Sequence, residues 1–170
     1  MWKAAGLTLG TAALAAGLAL AQGGAPAPQR AIPDPQSGRH FATPETLAIQ
    51  DDDFQNPAML WAEEGEAAWS RVEGTAGQSC ASCHNDATQT MRGVRARMPA
   101  YHPRLNRVVT LEQQINICRT ERMGASALPI DSRPLNAMAT FVALQSRGMP
   151  VNVDISGPAR SFFDAGERFY

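Results

Sequence analysis

Three residues in the middle of the chain have types and spacing that can bind a redox cofactor. Cys80 and Cys83 are separated by two residues and followed directly by His84, which gives a C-x-x-C-H run. Thiols at this spacing can add across the two vinyl groups of haem, and the adjacent imidazole can bind the iron from the proximal side. A thioredoxin-like redox pair would need flanking βαβ strands, and a zinc site would need two more ligands. The run therefore predicts one covalently attached c-type haem, with His84 as an axial ligand of the iron.

The second axial ligand must come from elsewhere in the chain, and several residues compete for this role. The usual ligand types in c-type cytochromes are methionine and histidine. The candidates of those types are Met91, Met98, Met123, Met138 and His102. Cys118 is a further candidate, because Leu111, Ile115 and Cys118 recur at steps of four and three and so share one face of a predicted helix. The residues alone leave this choice open.

The amino-terminal part of the chain indicates export. Residues 1–21 combine a positive start with an Ala/Leu/Gly-rich run and a small-residue cleavage site, which predicts a signal peptide, a periplasmic location and no retained membrane span. Without them, 14 arginines face 16 acidic residues, and this balance argues against nucleic acid as a partner. Residues 22–55 are rich in Pro, Gly and Ala without helical or strand periodicity, so we expect an extended arm.

Residues 56–150 predict an all-α domain that wraps the haem. A first helix is expected from Asn56 to about Val72, with Trp61 and Trp69 in the core. Thr110 and Gln113 match a capping box at the start of a second helix. A last helix is expected to begin at Ser132 and to end at Gly148. One helix before the C-x-x-C-H run and two after it correspond to a small cytochrome c-like fold.

Residues 151–170 repeat the beginning of this domain at an offset of 101 residues. Pro57-Ala58 returns as Pro158-Ala159, and Gly65-Glu66 returns as Gly166-Glu167. A fixed offset is the mark of an internal repeat. We therefore expect residues 151–170 to be the start of a second, truncated cytochrome c-like domain.

An arginine cluster lies between the haem motif and the second predicted helix. Its members are Arg92, Arg95, Arg97, Arg104 and Arg107. They can be partners of the haem propionates, a docking face for an acidic partner, or solubilising charge. The sequence gives these three interpretations similar weight.

Four segments in this order resemble the SoxA family, the larger cytochrome c subunits of the SoxAX complexes of bacterial thiosulfate oxidation. The segments are QDDDFQNP at 50–57, SCASCH at 79–84, LEQQINICR at 111–119 and QSRGMP at 145–150. The resemblance implies that Cys118 is the distal, thiolate ligand of the first haem. A further reason is that Cys118 would otherwise be an odd free cysteine in an oxidising compartment.

The resemblance also implies an activity, that of an L-cysteine S-thiosulfotransferase. In this family a SoxX partner and the larger subunit couple thiosulfate to a cysteine of the carrier protein SoxYZ, and electrons leave through haem. The family's catalytic cysteine and second haem would lie beyond Tyr170, so the residues present here are expected to bind an auxiliary haem without carrying out the chemistry. The alternative is a self-contained monohaem cytochrome c that transfers electrons.

Overall fold

The computed structural model describes residues 36–169, so the predicted signal peptide and the first part of the predicted arm lie outside the described residues. Seven α-helices and one two-stranded hairpin follow along the chain. The helices are α1 (Pro44–Asp51), α2 (Ala58–Trp69), α3 (Cys80–His84), α4 (Ala87–Thr90), α5 (Leu111–Cys118), α6 (Arg133–Leu144) and α7 (Ala159–Phe169). The antiparallel strands are β1 (Ala100–His102) and β2 (Arg107–Val109).

The main packing contact is between α2 and α6. Their backbones approach closely at Gly65, where an added Cβ would lie 2.2 Å from the carbonyl oxygen of Ala137 and 2.5 Å from Cβ of Phe141. Only glycine fits such a crossing without moving one of the helices. Trp69 and Phe141 lie beside this contact in the buried core, which continues to Leu111 at the start of α5.

The three helices predicted within residues 56–150 are present, and α2 and α6 are shorter than expected. The Asn56 side chain accepts a hydrogen bond from the Ala58 backbone N–H (3.0 Å), and α2 ends at Trp69. The predicted capping box of α5 is present: Thr110 Oγ1 accepts from the Gln113 N–H, and the Gln113 side chain accepts from the Thr110 N–H. Ser132 precedes α6 but makes no side-chain capping hydrogen bond.

Two features differ from the expectation of an extended arm and a purely helical domain. The arm contains α1, capped by Thr43 and begun by Pro44, and a short 3-10 helix at Gly38–Phe41. The hairpin β1–β2 adds two strands of three residues each. It pairs Ala100 with Val109 and forms part of the chain between the haem motif and α5.

The last helix, α7, is amphipathic and packs mainly beside β2. Tyr101 of β1 and Phe162 of α7 have ring centroids 6.3 Å apart. Among residues 36–169, no helix combines the length and the hydropathy needed to cross a membrane.

Candidate functional site

The C-x-x-C-H run forms a short helix of its own, α3. Ser79 precedes it as the N-cap: its Oγ accepts from the Ser82 N–H (3.1 Å), and Ser82 Oγ accepts from the Ser79 N–H (3.0 Å). This capping box fixes the first turn, so the two thiols and the imidazole project from a defined backbone. Ser79 and Ser82 thus position the predicted site, and the sequence analysis missed them although the Ser-x-x-Ser spacing is visible in the sequence.

All four predicted site residues border one cavity of about 230 Å³. Its wall is largely apolar. The lining residues are Trp69, Ser79, Cys80, Cys83, His84, Met91, Val94, Leu111, Gln114, Ile115, Cys118, Arg119, Arg122, Met123, Met138 and Val142. An apolar wall that carries two thiols and an imidazole on one element suits a flat, hydrophobic ring held at its edge, so these residues fit a c-type haem.

Trp69 fixes the proximal side of this cavity. Its indole N–H donates to the Asn85 carbonyl oxygen (2.9 Å), immediately after His84. The Trp69 and His84 rings lie with their centroids 5.9 Å apart, and Phe141 packs against Trp69 from the other side at 5.7 Å. The sequence predicts Trp69 in the core, and the structure places it there. Its ring also contacts the ring of His84, the candidate iron ligand.

Helix α5 forms another wall and confirms the predicted helix face. Leu111, Ile115 and Cys118 all border the cavity. The Gln114 side-chain amide donates to the Cys118 sulfur at 3.5 Å. Amide hydrogen bonds to a ligand sulfur tune metal sites, so Gln114 is a neighbour of the candidate ligand that spacing alone did not identify.

The other candidates for the distal ligand separate into two groups. Met91, Met123 and Met138 border the cavity together with Cys118. Met98 lies in a different groove, and His102 belongs to strand β1. The structure therefore removes Met98 and His102 from the residues that line the cavity.

The arginine cluster does not line the cavity. Two arginines that follow Cys118, Arg119 and Arg122, do so instead. Arg119 is only 11% exposed; its Nη1 lies 2.7 Å from a Glu73 carboxylate oxygen, and its Nε donates to the Ser126 carbonyl (3.1 Å). Arg122 is exposed at the cavity wall. The Arg119 guanidinium is thus already paired with Glu73, whereas Arg122 forms no ion pair within residues 36–169 and can pair with an anionic group in the cavity.

The turn before the haem motif is clamped to the turn after Cys118. Ala76 N–H donates to the Met123 carbonyl (3.0 Å), and Thr75 N–H donates to the Gly124 carbonyl (3.2 Å). Gly74 has φ +72°, and an added Cβ there would lie 2.2 Å from the Met123 carbonyl oxygen. With the Arg119–Glu73 ion pair, this contact fixes the separation between α3 and the end of α5.

Burial and neighbouring groups of the site shift the pKa of the Cys80 thiol. Burial raises its pKa most, and the neighbouring Cys118 adds to the increase, while the Arg119 guanidinium lowers the pKa. Two thiols and a cation are therefore close enough to interact on one wall of the cavity.

Comparison with known proteins identifies relatives over most of the chain. A family model of the SoxA/TsdA cytochrome c domain matches residues 64–151. The L-cysteine S-thiosulfotransferase subunit SoxA of Rhodovulum sulfidophilum is 44% identical over 135 residues, which cover 79% of this chain and 47% of that protein. The subunit SoxA of Paracoccus pantotrophus is 40% identical, over 79% of this chain and 46% of that protein.

Solved structures agree with the sequence comparison. The crystal structure of SoxXA from P. pantotrophus matches with a TM-score of 0.72 and 40% sequence identity, over 79% of this chain and 50% of that chain. A more distant relative, the thiosulfate dehydrogenase of Thiomonas intermedia, is 28% identical over 71% of this chain. The chain spans about half the length of the curated relatives it matches.

Proposed function

Since the chain belongs to the SoxA/TsdA cytochrome c domain family, we propose that it forms the haem-bearing amino-terminal part of a SoxA-like thiosulfotransferase subunit. The observation that carries the proposal is the convergence of Cys80, Cys83, His84 and Cys118 on one apolar cavity. Cys80 and Cys83 attach haem c covalently, and His84 binds its iron. A haem bound here supplies one-electron redox chemistry to the subunit.

Cys118 is proposed as the distal ligand, as a thiolate. It borders the cavity on the face of α5 that also carries Leu111 and Ile115, and it accepts a hydrogen bond from Gln114. A thiolate brings a full negative charge that favours ferric over ferrous iron, so the reduction potential is low. Arg119, held by Glu73, offsets part of that charge.

The complete activity is inferred from the related proteins and not from this cavity. With a SoxX-like cytochrome as partner in the periplasm, the subunit couples thiosulfate oxidatively to a cysteine of a SoxYZ-like carrier protein, and the two electrons released in forming the S–S bond leave through haem. All three cysteines of this chain are assigned to the first haem, so the catalytic cysteine is not among them. A second haem and the catalytic cysteine belong to a second cytochrome c-like domain, of which residues 151–170 are the start.

The independent monohaem electron carrier is the less favoured candidate. The curated relatives are named as thiosulfotransferase subunits or as thiosulfate dehydrogenases. The amphipathic helix α7, which repeats the pattern of α2, supports a continuation into a second domain.

The test of the haem assignment is expression with a c-type maturation system, followed by pyridine haemochrome analysis. The wild-type chain should carry one haem with two thioether bonds, and Cys80→Ser or Cys83→Ser should abolish that spectrum. An unchanged spectrum in both variants would refute the attachment. Cys118→Met should raise the potential by on the order of 100 mV or more, because axial ligands set potentials over several hundred millivolts. Met123→Leu, a change at the same wall, is the matched control and should leave the ligand spectrum unchanged.

The enzymatic part is tested with a SoxX-like partner, thiosulfate and SoxYZ, by mass spectrometry of the carrier cysteine. We expect no modification by this polypeptide, and modification when the chain is extended through a second haem motif. Modification by the present chain would contradict the assignment of its three cysteines.

A further inference from the structure

The charge of this protein is segregated along the sequence. Residues 87–111 contain five arginines and no Asp or Glu, a net charge of +5. The remaining residues contain 10 Lys plus Arg and 16 Asp plus Glu, a net charge of −6, so the two parts sum to the overall −1. A basic segment of this kind in an otherwise acidic chain produces a local positive field.

Four of these five arginines form no ion pair within residues 36–169; one of them, Arg107, lies in β2, apart from the other three. Arg92, Arg95 and Arg97 are exposed, and none of them forms an ion pair within residues 36–169. Glu112 borders a groove beside Arg95 and does not pair with it, and Asp154 borders the groove that Arg97 lines.

Several other exposed arginines are paired. Arg39 pairs with Asp51 at 2.6 Å, Arg147 pairs with Asp53 at 2.6 Å, and Arg133 pairs with Glu64. Arg104, in the same basic segment, pairs with Glu121. Within residues 36–169, Arg107, Arg122 and Arg168 also form no ion pair, but they are scattered along the chain, whereas Arg92, Arg95 and Arg97 lie within six residues.

The backbone that carries the three arginines is fixed. Arg95 N–H donates to the Oγ of Ser146 (3.1 Å), a side chain only 8% exposed, and Asn152 N–H donates to the Ala96 carbonyl (2.7 Å). Met91 and Val94, which flank the arginines, pack against the core. A partner that contacts this segment does not have to order its backbone, which lowers the entropic cost of binding.

The same segment is one wall of the candidate haem site. Met91 and Val94 border the cavity on the inside, while Arg92 and Arg95 face solvent. We propose that Arg92, Arg95 and Arg97 form a docking face for the acidic surface of an electron-carrier protein that exchanges electrons with the haem behind this wall. The redox part rests on the proposed function, whereas the docking part rests on the charges alone.

The test compares two triple variants of the haem-loaded protein with equal loss of charge. R92Q/R95Q/R97Q removes the proposed docking face, and R39Q/R133Q/R147Q removes three exposed, paired arginines elsewhere. Flavodoxin, an acidic one-electron carrier, serves as the protein probe, and stopped-flow absorbance gives the rate of haem reduction. We expect the docking-face variant to react about tenfold more slowly at low ionic strength, with the difference vanishing at high salt. Equal rates in the two variants, or a rate without salt dependence, would overturn the proposal.

A second measurement separates the docking face from the haem assignment. Fluorescence anisotropy with a labelled polyglutamate peptide measures acidic-ligand binding and needs no haem signal. Binding that is lost in the docking-face variant and kept in the control supports the docking face, and equal binding in both overturns it. Absence of a c-type spectrum in the wild-type protein contradicts the proposed function, and the peptide result then decides the docking face independently.

Discussion

The clamp between the turn at 74–77 and the turn after Cys118 predicts very different effects for two neighbouring glycines. Gly74 and Gly77 both have positive φ, +72° and +60°. An added Cβ at Gly77 meets nothing within 4 Å, whereas at Gly74 it lies 2.2 Å from the Met123 carbonyl oxygen and 2.6 Å from the Ala125 nitrogen. The two positions share the conformational penalty, and only one of them has the steric conflict.

The magnitudes follow from these two terms. Left-handed backbone costs an alanine about 1–2 kcal/mol, and the loss of unfolded-state entropy returns about 0.4–1 kcal/mol, so Gly77→Ala should cost about 1 kcal/mol. At Gly74 the obstructing atoms are backbone and cannot rotate away, which adds about 1–3 kcal/mol of overpacking. Gly74→Ala should therefore lower the free energy of unfolding by about 2–4 kcal/mol, a large share of the stability of a small domain.

Guanidinium chloride unfolding of the haem-loaded variants, followed by far-UV circular dichroism, measures both values. The difference in stability between the two variants reports on the clamp. Both substitutions carry the cost of left-handed backbone, so subtracting the Gly77→Ala value leaves the steric cost at Gly74. If the two variants lose the same stability, the turn at 74–77 does not pack against Met123 and Gly124, and there is no clamp between the two turns.

Three further predictions concern the ligand wall, the helix crossing and a surface ion pair. Gln114→Leu should lower the reduction potential by about 40 mV, since losing one hydrogen bond of ~1 kcal/mol to the Cys118 sulfur destabilises the ferrous state. Spectroelectrochemistry measures the potential, and an unchanged value would show that Gln114 makes no hydrogen bond to an iron ligand. Gly65→Ala should cost about 1–3 kcal/mol in chemical unfolding because α2 and α6 must move apart, and a neutral effect would contradict the close crossing. Arg133 donates to Glu64 and holds the pKa of that carboxyl below its usual value, so the pair contributes stability above the ordinary carboxyl pKa and loses it as the pH falls through the folded-state pKa. Arg133→Gln should raise the pKa of Glu64 in a carbon-13 NMR titration, and an unmoved pKa would show that the pair is not formed in solution.

The parts of the site that the sequence could predict are those set by local spacing. The C-x-x-C-H run, the capping box at Thr110 and the shared face of Leu111, Ile115 and Cys118 each depend on residues within one or two helical turns. Local hydrogen bonds and helix geometry determine such features, and tertiary packing does not have to be known.

Helix α1 shows a different limit of sequence-based prediction. Its helix-start signals are present in the sequence, but the composition of the surrounding segment favours an extended chain. Thr43 accepts a hydrogen bond from the Thr46 N–H, Pro44 occupies the start of the helix, and Glu45 lies in the first turn. These are ordinary helix-start signals. The many prolines before Pro44 favoured an extended interpretation of the whole segment, although a proline at a helix start costs no hydrogen bond.

The allocation of the arginines required the three-dimensional structure. Sequence proximity favoured none of the interpretations for the cluster at 92–107, and the structure places Arg119 and Arg122 at the cavity while Arg92 faces solvent. Composition counts charge but does not tell which side of a loop carries it. The side that carries the charge depends on which residues of the same loop pack against the core, and here these are Met91 and Val94.

The clamp should couple the stability of the domain to the geometry of the proposed haem site, and substitutions at the two glycines Gly74 and Gly65 can separate these effects. The contact at Gly74 joins the turn before Cys80 to the turn after Cys118, whereas the contact at Gly65 joins α2 to α6 on another side of the core. Loosening the first should displace the two proposed ligand elements relative to each other, since both are held at one end by the same pair of hydrogen bonds. Gly74→Ala should thus change the electron paramagnetic resonance of the oxidised protein in native buffer, and Gly65→Ala, with a comparable loss of stability, should leave that signal unchanged. Equal spectral changes in both variants would mean that the ligand geometry follows overall packing and not this clamp.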